Sequence, residues 1–257
     1  VQHAGAQYGS IFGSLNIRNY SNAEYNGHTQ MFSITQDARG VMYFGNKSGV
    51  LEYDGVSWRT IKVYNKNGDS REVNSLATDK TGQIYVAARE DLGVLAADKR
   101  GKVQFKSLKH KFTQVPDLKS PRKILAYDDG VLFQYGGQIF QYSNGKFKVY
   151  TSSKDDPIYG VFNADGKIYV AKEKTGLHTL IQGKFKPVVN GAFFGSQNKI
   201  YSILNFSNGT YIQTSEGNIF NFTDPSRLKE IVLDFSRPTY NAINVFDRYF
   251  SSGSFSL

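Results

Sequence analysis

Apolar and polar residues alternate along this chain in short runs bounded by Gly, Asn and Asp, and the runs recur in sets. Gly40, Gly82, Gly130, Gly166 and Gly209 each open one run; Gly49, Gly93, Gly137, Gly176 and Gly217 open a second, in steps of 44, 44, 39 and 41 residues. Short strands recurring at this period are the sequence mark of β-propeller blades. The first runs read Val41-Met42-Tyr43-Phe44-Gly45, Gln83-Ile84-Tyr85-Val86-Ala87, Val131-Leu132-Phe133-Gln134-Tyr135, Lys167-Ile168-Tyr169-Val170-Ala171 and Thr210-Tyr211-Ile212-Gln213-Thr214. Their second and third places are apolar or aromatic in every copy, which predicts a strand covered on both faces. Gly45, Ala87 and Ala171 are small enough to admit a neighbouring backbone.

The second runs, such as Ile139-Phe140-Gln141-Tyr142 and Ile219-Phe220-Asn221-Phe222, alternate and predict half-exposed strands. A polar Gly turn then leads to a last strand: Asp54-Gly55 to Trp58, Asn144-Gly145 to Phe147, Gln182-Gly183 to Phe185. An apolar strand precedes each set, as in Phe32-Ser33-Ile34, Ser75-Leu76-Ala77 and Gly160-Val161-Phe162. The expected fold is therefore all-β, a β-propeller of four-stranded antiparallel blades. Five complete blades are expected at about 31–63, 73–108, 123–150, 157–188 and 200–235, with a partial sixth over 242–257. An N-terminal segment, 1–30, precedes them with a strand near 15–20, which could complete a six-bladed ring; otherwise the chain reads as a fragment of a larger propeller.

Acids or amides stand ahead of the first glycines: Asp37, Asp79, Asp128-Asp129, Asp165 and Asn208. Such side chains cap tight turns, and none has the dense oxygen-ligand spacing of a calcium loop. Lys-Phe-Lys occurs at 146–148 and 184–186. An aromatic between lysines could stack on a base or sugar; on an outer strand it more often points inward between edge-protecting charges.

Charge adds one feature. The formal net charge is +9, and between Lys99 and Lys123 nine basic residues face one acid, Asp117. Such a block suits a polyanion or a solvated inter-blade connection. No recognised nucleic-acid module accompanies it, so nucleic acid is not an expected partner. The chain has no cysteine, excluding disulfides and thiolate metal sites, and no run of eighteen apolar residues, so no membrane span is expected. His3, His28, His110 and His178 share no metal-ligand spacing, and no serine elbow or phosphate loop occurs. The acid pairs Glu90-Asp91 and Asp155-Asp156 suit a glycosidase poorly, because neighbours on a strand point to opposite faces. No catalytic residue, metal site or cofactor is expected, and the chain reads as a non-enzyme.

Several segments carry a resemblance. Ile17-Arg18-Asn19-Tyr20-Ser21, Glu24-Tyr25, 30–37, Gly40-Val41-Met42-Tyr43-Phe44-Gly45-Asn46 and Gly49-Val50-Leu51-Glu52-Tyr53-Asp54-Gly55 resemble the opening blades of two-component-regulator propeller proteins of the Bacteroidetes type, including those with a triple-tyrosine module. The stretch Gly82 to Ala87 and then Glu90-Asp91-Leu92-Gly93-Val94-Leu95 agrees. This resemblance implies a periplasmic or otherwise extracytoplasmic sensor domain, homodimeric in the full-length receptor, with output modules elsewhere. A ligand would meet the turns between second and third strands, which share one face of the disc. Arg89, Glu90, Asp91, Tyr135, Lys172 and Glu173 are the expected contacts, and their mixed charges suit a polar ligand such as an oligosaccharide. The rival readings are a protein-interaction scaffold and, behind it, a propeller lyase or glycoside hydrolase.

Overall fold

The computed structural model describes residues 18–65, 67–113, 116–128 and 130–231. Over these, four consecutive strands build each of five antiparallel sheets in chain order. The first contains β1 (Met31–Gln36), β2 (Met42–Asn46), β3 (Gly49–Tyr53) and β4 (Trp58–Ile61). The second contains β5 (Val73–Thr78), β6 (Ile84–Ala88), β7 (Asp91–Ala97) and β8 (Val103–Ser107), and the third β9 (Pro121–Tyr127), β10 (Gly130–Tyr135), β11 (Gln138–Ser143) and β12 (Lys146–Thr151). The fourth is β13 (Ile158–Ala164), β14 (Lys167–Lys172), β15 (Gly176–Ile181) and β16 (Lys184–Pro187); the fifth is β17 (Ile200–Phe206), β18 (Gly209–Thr214), β19 (Ile219–Asn221) and β20 (Lys229–Ile231). This is the expected propeller of four-stranded blades. The sixth unit expected over 242–257 lies outside the described residues. Of the strand expected near 15–20, only residues 18–20 are described, and they belong to no strand.

Local chemistry sets the hairpins. Asn144-Gly145, Asp165-Gly166 and Gln182-Gly183 all have positive φ at both positions, the geometry of a type I′ turn whose twist matches the flanking strands. The turn acids act as turn caps. Asp37 Oδ1 accepts the backbone N–H groups of Arg39 (2.9 Å) and Val41 (3.1 Å), and Asp79 Oδ1 those of Thr81 (2.9 Å) and Gln83 (3.0 Å).

Blades pack face to face, with the first strand of each beside that of its neighbour: β1 by β5, β5 by β9, β9 by β13 and β13 by β17. The core is thus a series of layers between blades rather than one centre. Val50, Ile61, Val73 and Val86 fill the layer between the first two blades, and Leu92, Ile124, Val131 and Phe133 the next. Leu132, Ile139, Val161 and Val170 fill the third, and Phe162, Leu177, Phe194 and Ile212 the fourth. The alternation of β10 now has a cause. Val131 and Phe133 face the second blade while Leu132 faces the fourth, so both sides of the strand are buried. Phe147 of the first Lys-Phe-Lys stretch turns inward and stacks on Phe112 at 4.0 Å between centroids, with both flanking lysines exposed.

Candidate functional site

The strands are antiparallel, so the turn after each second strand lies at the same end of the blade as the start of the first strand. The expected contact residues therefore ring that end, in different states. Arg89 is exposed; its backbone N–H bonds the Glu72 carbonyl and its own carbonyl accepts from Arg71 Nη1 at 2.6 Å. Arg71 Nη1 also donates to Glu90 Oε2 at 2.8 Å. Asp91 Oδ1 accepts from Ser107 Oγ at 2.6 Å, and burial pushes the Asp91 carboxyl above its ordinary range. Lys172 Nζ lies 4.9 Å over the Phe185 ring and 4.0 Å from Asp156 Oδ2. Glu173 Oε1 accepts from Lys199 Nζ at 2.7 Å. Tyr135 is 2% exposed, and its hydroxyl is directed at the Ala88 and Asp91 carbonyls, so it ties two blades rather than presenting itself to solvent.

A second feature sits inside this ring. Every first strand carries a register shift one residue in: between Met31 and Ser33, Val73 and Ser75, Pro121 and Lys123, Ile158 and Gly160, and Ile200 and Ser202. The residues passed over are Phe32, Asn74, Arg122, Tyr159 and Tyr201. All five line one cavity of about 380 Å³, walled by the first strands of all five sheets and therefore lying on the propeller axis. Bulges of this kind re-aim side chains at functional rims. Backbone N–H groups of these innermost strands bond between blades: that of Ile124 donates to Ser75 Oγ (2.9 Å) and that of Ile200 to Tyr159 Oη (3.0 Å). Tyr159 Oη in turn donates to the Phe194 carbonyl, and burial raises its pKa to about 12.

Beyond the bulge, four blades pair small or neutral residues across their first two strands: Ser33 with Gly45, Ser75 with Ala87, Gly160 with Ala171, Ser202 with Gln213. The third blade pairs Lys123 with Gln134. Lys123 Nζ lies 5.3 Å from the centroid of the Phe162 ring in the next blade, and burial pushes its pKa below the ordinary lysine range. The sequence reading overlooked this site, although Gln134 interrupting the Gly45, Ala87 and Ala171 column was a visible signal.

Among the described residues, no group of three or more His, Asp or Glu could hold a metal, and no helix is long and apolar enough to cross a membrane. No protein-family model matches the chain, and no curated protein matches it. Solved structures do. The chain is similar to the extracellular domain of a protein assigned as the hybrid two-component system BT3049 of B. thetaiotaomicron, at 21% identity and TM-score 0.60, covering 82% of this chain and 31% of that one. It is similar to the extracellular domain assigned to the one-component system BT4673 of the same organism, at 20% identity and TM-score 0.57, covering 78% and 27%. Virginiamycin B lyase from Staphylococcus aureus follows at 13% identity and TM-score 0.58, covering 86% and 73%. The chain has the propeller fold of these Bacteroides extracellular domains and spans under a third of their length.

Proposed function

We propose that this chain is a ligand-sensing propeller, part of the extracytoplasmic input region of a bacterial signal-transduction receptor. The observation that carries this reading is the shared fold with two receptor extracellular domains. Its ligand is a polar molecule such as an oligosaccharide, received at the end of the disc where Arg89, Glu90, Lys172 and Glu173 stand. The exposed Arg89 guanidinium is the first contact, and the Lys172 ammonium over Phe185 the second. Dimerisation belongs to the full-length receptor, and the ligand acts by binding one signalling state more tightly than the other.

Non-enzymatic function is part of the proposal. Likeness to a lyase favours the rival reading, but Glu90, Asp91 and Asp156 are each engaged by protein partners, Arg71, Ser107 and Thr175. The test is a thermal-shift and calorimetric screen of neutral and acidic oligosaccharides against the wild type and the Arg89→Ala, Lys172→Ala double variant. Binding that weakens about tenfold or more in the variant is expected. No binder, or a binder indifferent to both substitutions, overturns the site. Turnover of any saccharide overturns the non-enzymatic reading.

A further inference from the structure

The axial cavity is unusual in its charge. Its lining includes Arg122 and Lys123 but no Asp or Glu. Neither cation has a carboxylate partner among the described residues. Arg122 is exposed and Lys123 half-buried, and an ammonium partly withdrawn from water without a counter-ion is costly unless something else compensates it. The Phe162 ring, 5.3 Å from Lys123 Nζ, is a weak substitute for a counter-ion.

The neutral polar groups tell the same story. Five buried side-chain polar atoms lack a hydrogen-bond partner among the described residues, and three of them, Ser33 Oγ, Asn74 Oδ1 and Gln134 Nε2, belong to residues lining this one cavity. Gln134 is only 3% exposed. The Asn74 amide is oriented by its Nδ2 donating to Glu72 Oε1 at 2.8 Å, which leaves Oδ1 as the free atom. Native proteins leave few such groups unpaired, because a buried polar atom without a partner is destabilising. These residues converge on one cavity within the ~300–1,000 Å³ range of small-molecule sites.

We propose that the axial cavity binds a small hydroxylated carboxylate. The carboxylate is held by Lys123 Nζ and Gln134 Nε2, and a ligand hydroxyl donates to Asn74 Oδ1. The chemistry follows from the atoms: an ammonium and an amide N–H call for an anionic acceptor, and a free carbonyl calls for a donor. Tyr159 and Phe32 supply flat apolar wall for the ligand's carbon skeleton. An acidic monosaccharide meets all three requirements. This site is distinct from the outer loop contacts proposed above and does not depend on the receptor role.

The probes are D-glucuronate and D-glucose, titrated calorimetrically into the whole chain. Glucuronate is expected to bind, glucose at least about tenfold more weakly, and Lys123→Met to lose the preference. Lys146→Ala, a lysine change on the exposed outer strand β12, is expected to bind glucuronate as the wild type does, which ties the loss in Lys123→Met to the axial cavity. Equal binding of the two sugars, no binding of glucuronate, or undiminished binding by Lys123→Met overturns the proposal. Should Lys123→Met fail to fold, the wild type serves: glucuronate is expected to slow acetylation of Lys123 by acetic anhydride, read by peptide mass spectrometry. An unchanged rate overturns it.

Discussion

The Tyr135 hydroxyl approaches the Asp91 carbonyl at 2.6 Å and the Ala88 carbonyl at 3.0 Å, joining the end of β10 to the turn between β6 and β7. Burial, with the Asp91 carboxylate nearby, pushes the phenol well above its ordinary pKa, so it remains a donor throughout the working pH range. Tyr135→Phe keeps the ring in the layer with Phe140 (5.9 Å between centroids) but removes the one O–H donor that these two carbonyls share. The expected loss is about 1–3 kcal/mol, read as a lowered midpoint in urea with an unchanged slope. An unchanged midpoint would mean that the bond contributes nothing net.

Backbone approach sets the second expectation. A methyl group on Gly93 would collide with the Lys106 carbonyl and the Phe105 ring. Both belong to β8, which pairs with β7 through Gly93 and Ser107. Gly93→Ala must push the outer strand away, at about 1–3 kcal/mol. Gly166→Ala is the contrast: nothing lies within reach of its Cβ, and only the left-handed φ of +65° opposes it, for roughly 1–2 kcal/mol. Chemical denaturation of both variants measures the difference. Hydrogen exchange should be accelerated along β7 and β8 in Gly93→Ala alone.

These two positions also show what the sequence made legible. Turn glycines such as Gly166 at a repeating distance gave the blades, because a tight hairpin needs left-handed residues at fixed places whatever surrounds it; Gly93, expected to open its strand, instead lies inside β7 with no left-handed φ, where the close approach of β8 requires a glycine. The outer aromatics were readable for a similar reason: Phe147 must point inward if Lys146 and Lys148 point out. That Glu90 and Glu173 stand in turns was legible, but not what they pair with. Arg71 and Lys199, which hold Glu90 and Glu173, come from the connections leading into β5 and β17; pairing of β5 with β6 brings Arg71 alongside Glu90, and packing of the fourth blade on the fifth brings Lys199 alongside Glu173. The axial ring was hidden by its own geometry. A bulge breaks the alternation that marks inward positions, and Phe32, Asn74, Arg122, Tyr159 and Tyr201 share no chemistry that would align them.

Protonation gives a third expectation. His178 is 5% exposed in β15, its Nδ1 3.1 Å from the Gly176 carbonyl. Burial, seconded by the Lys172 charge, lowers its pKa below 6.5, against the opposing pull of the Gly176 bond and Asp156. A depressed folded value means that the unfolded chain binds the proton more readily. The neutral imidazole's contribution is complete above the unfolded value, near 6.5, and is lost as pH falls through the folded value. The melting temperature of the wild type should therefore decline below pH 6.5, and His178→Gln should flatten that slope. Asp37, Asp79 and Asp156, whose folded values are depressed by side-chain and backbone hydrogen bonds despite the opposing effect of burial, hold their contribution until pH drops below 3.8. The two windows separate cleanly in a pH series.

The single tryptophan reports on the segment ahead of the first blade. Trp58 stacks on Tyr53 at 4.5 Å between centroids and meets Tyr20 at 5.3 Å and Tyr25 at 5.6 Å. Tyr20 and Tyr53 also share a hydroxyl bond of 2.7 Å. Tyr25 is held in place by α1 (Asn22–Tyr25), whose capping box pairs Ser21 with Glu24. Residues 20–25 therefore cover the outer strand of the first blade, where an uncovered edge would otherwise invite pairing. Tyr20→Ala removes ring contacts with both Tyr53 and Trp58 and the hydroxyl bond, for about 1–3 kcal/mol. Emission from Trp58 should shift to the red as water reaches the indole, and limited proteolysis ahead of β1 should quicken. Unchanged emission together with unchanged proteolysis would show that the segment does not cover this edge in solution.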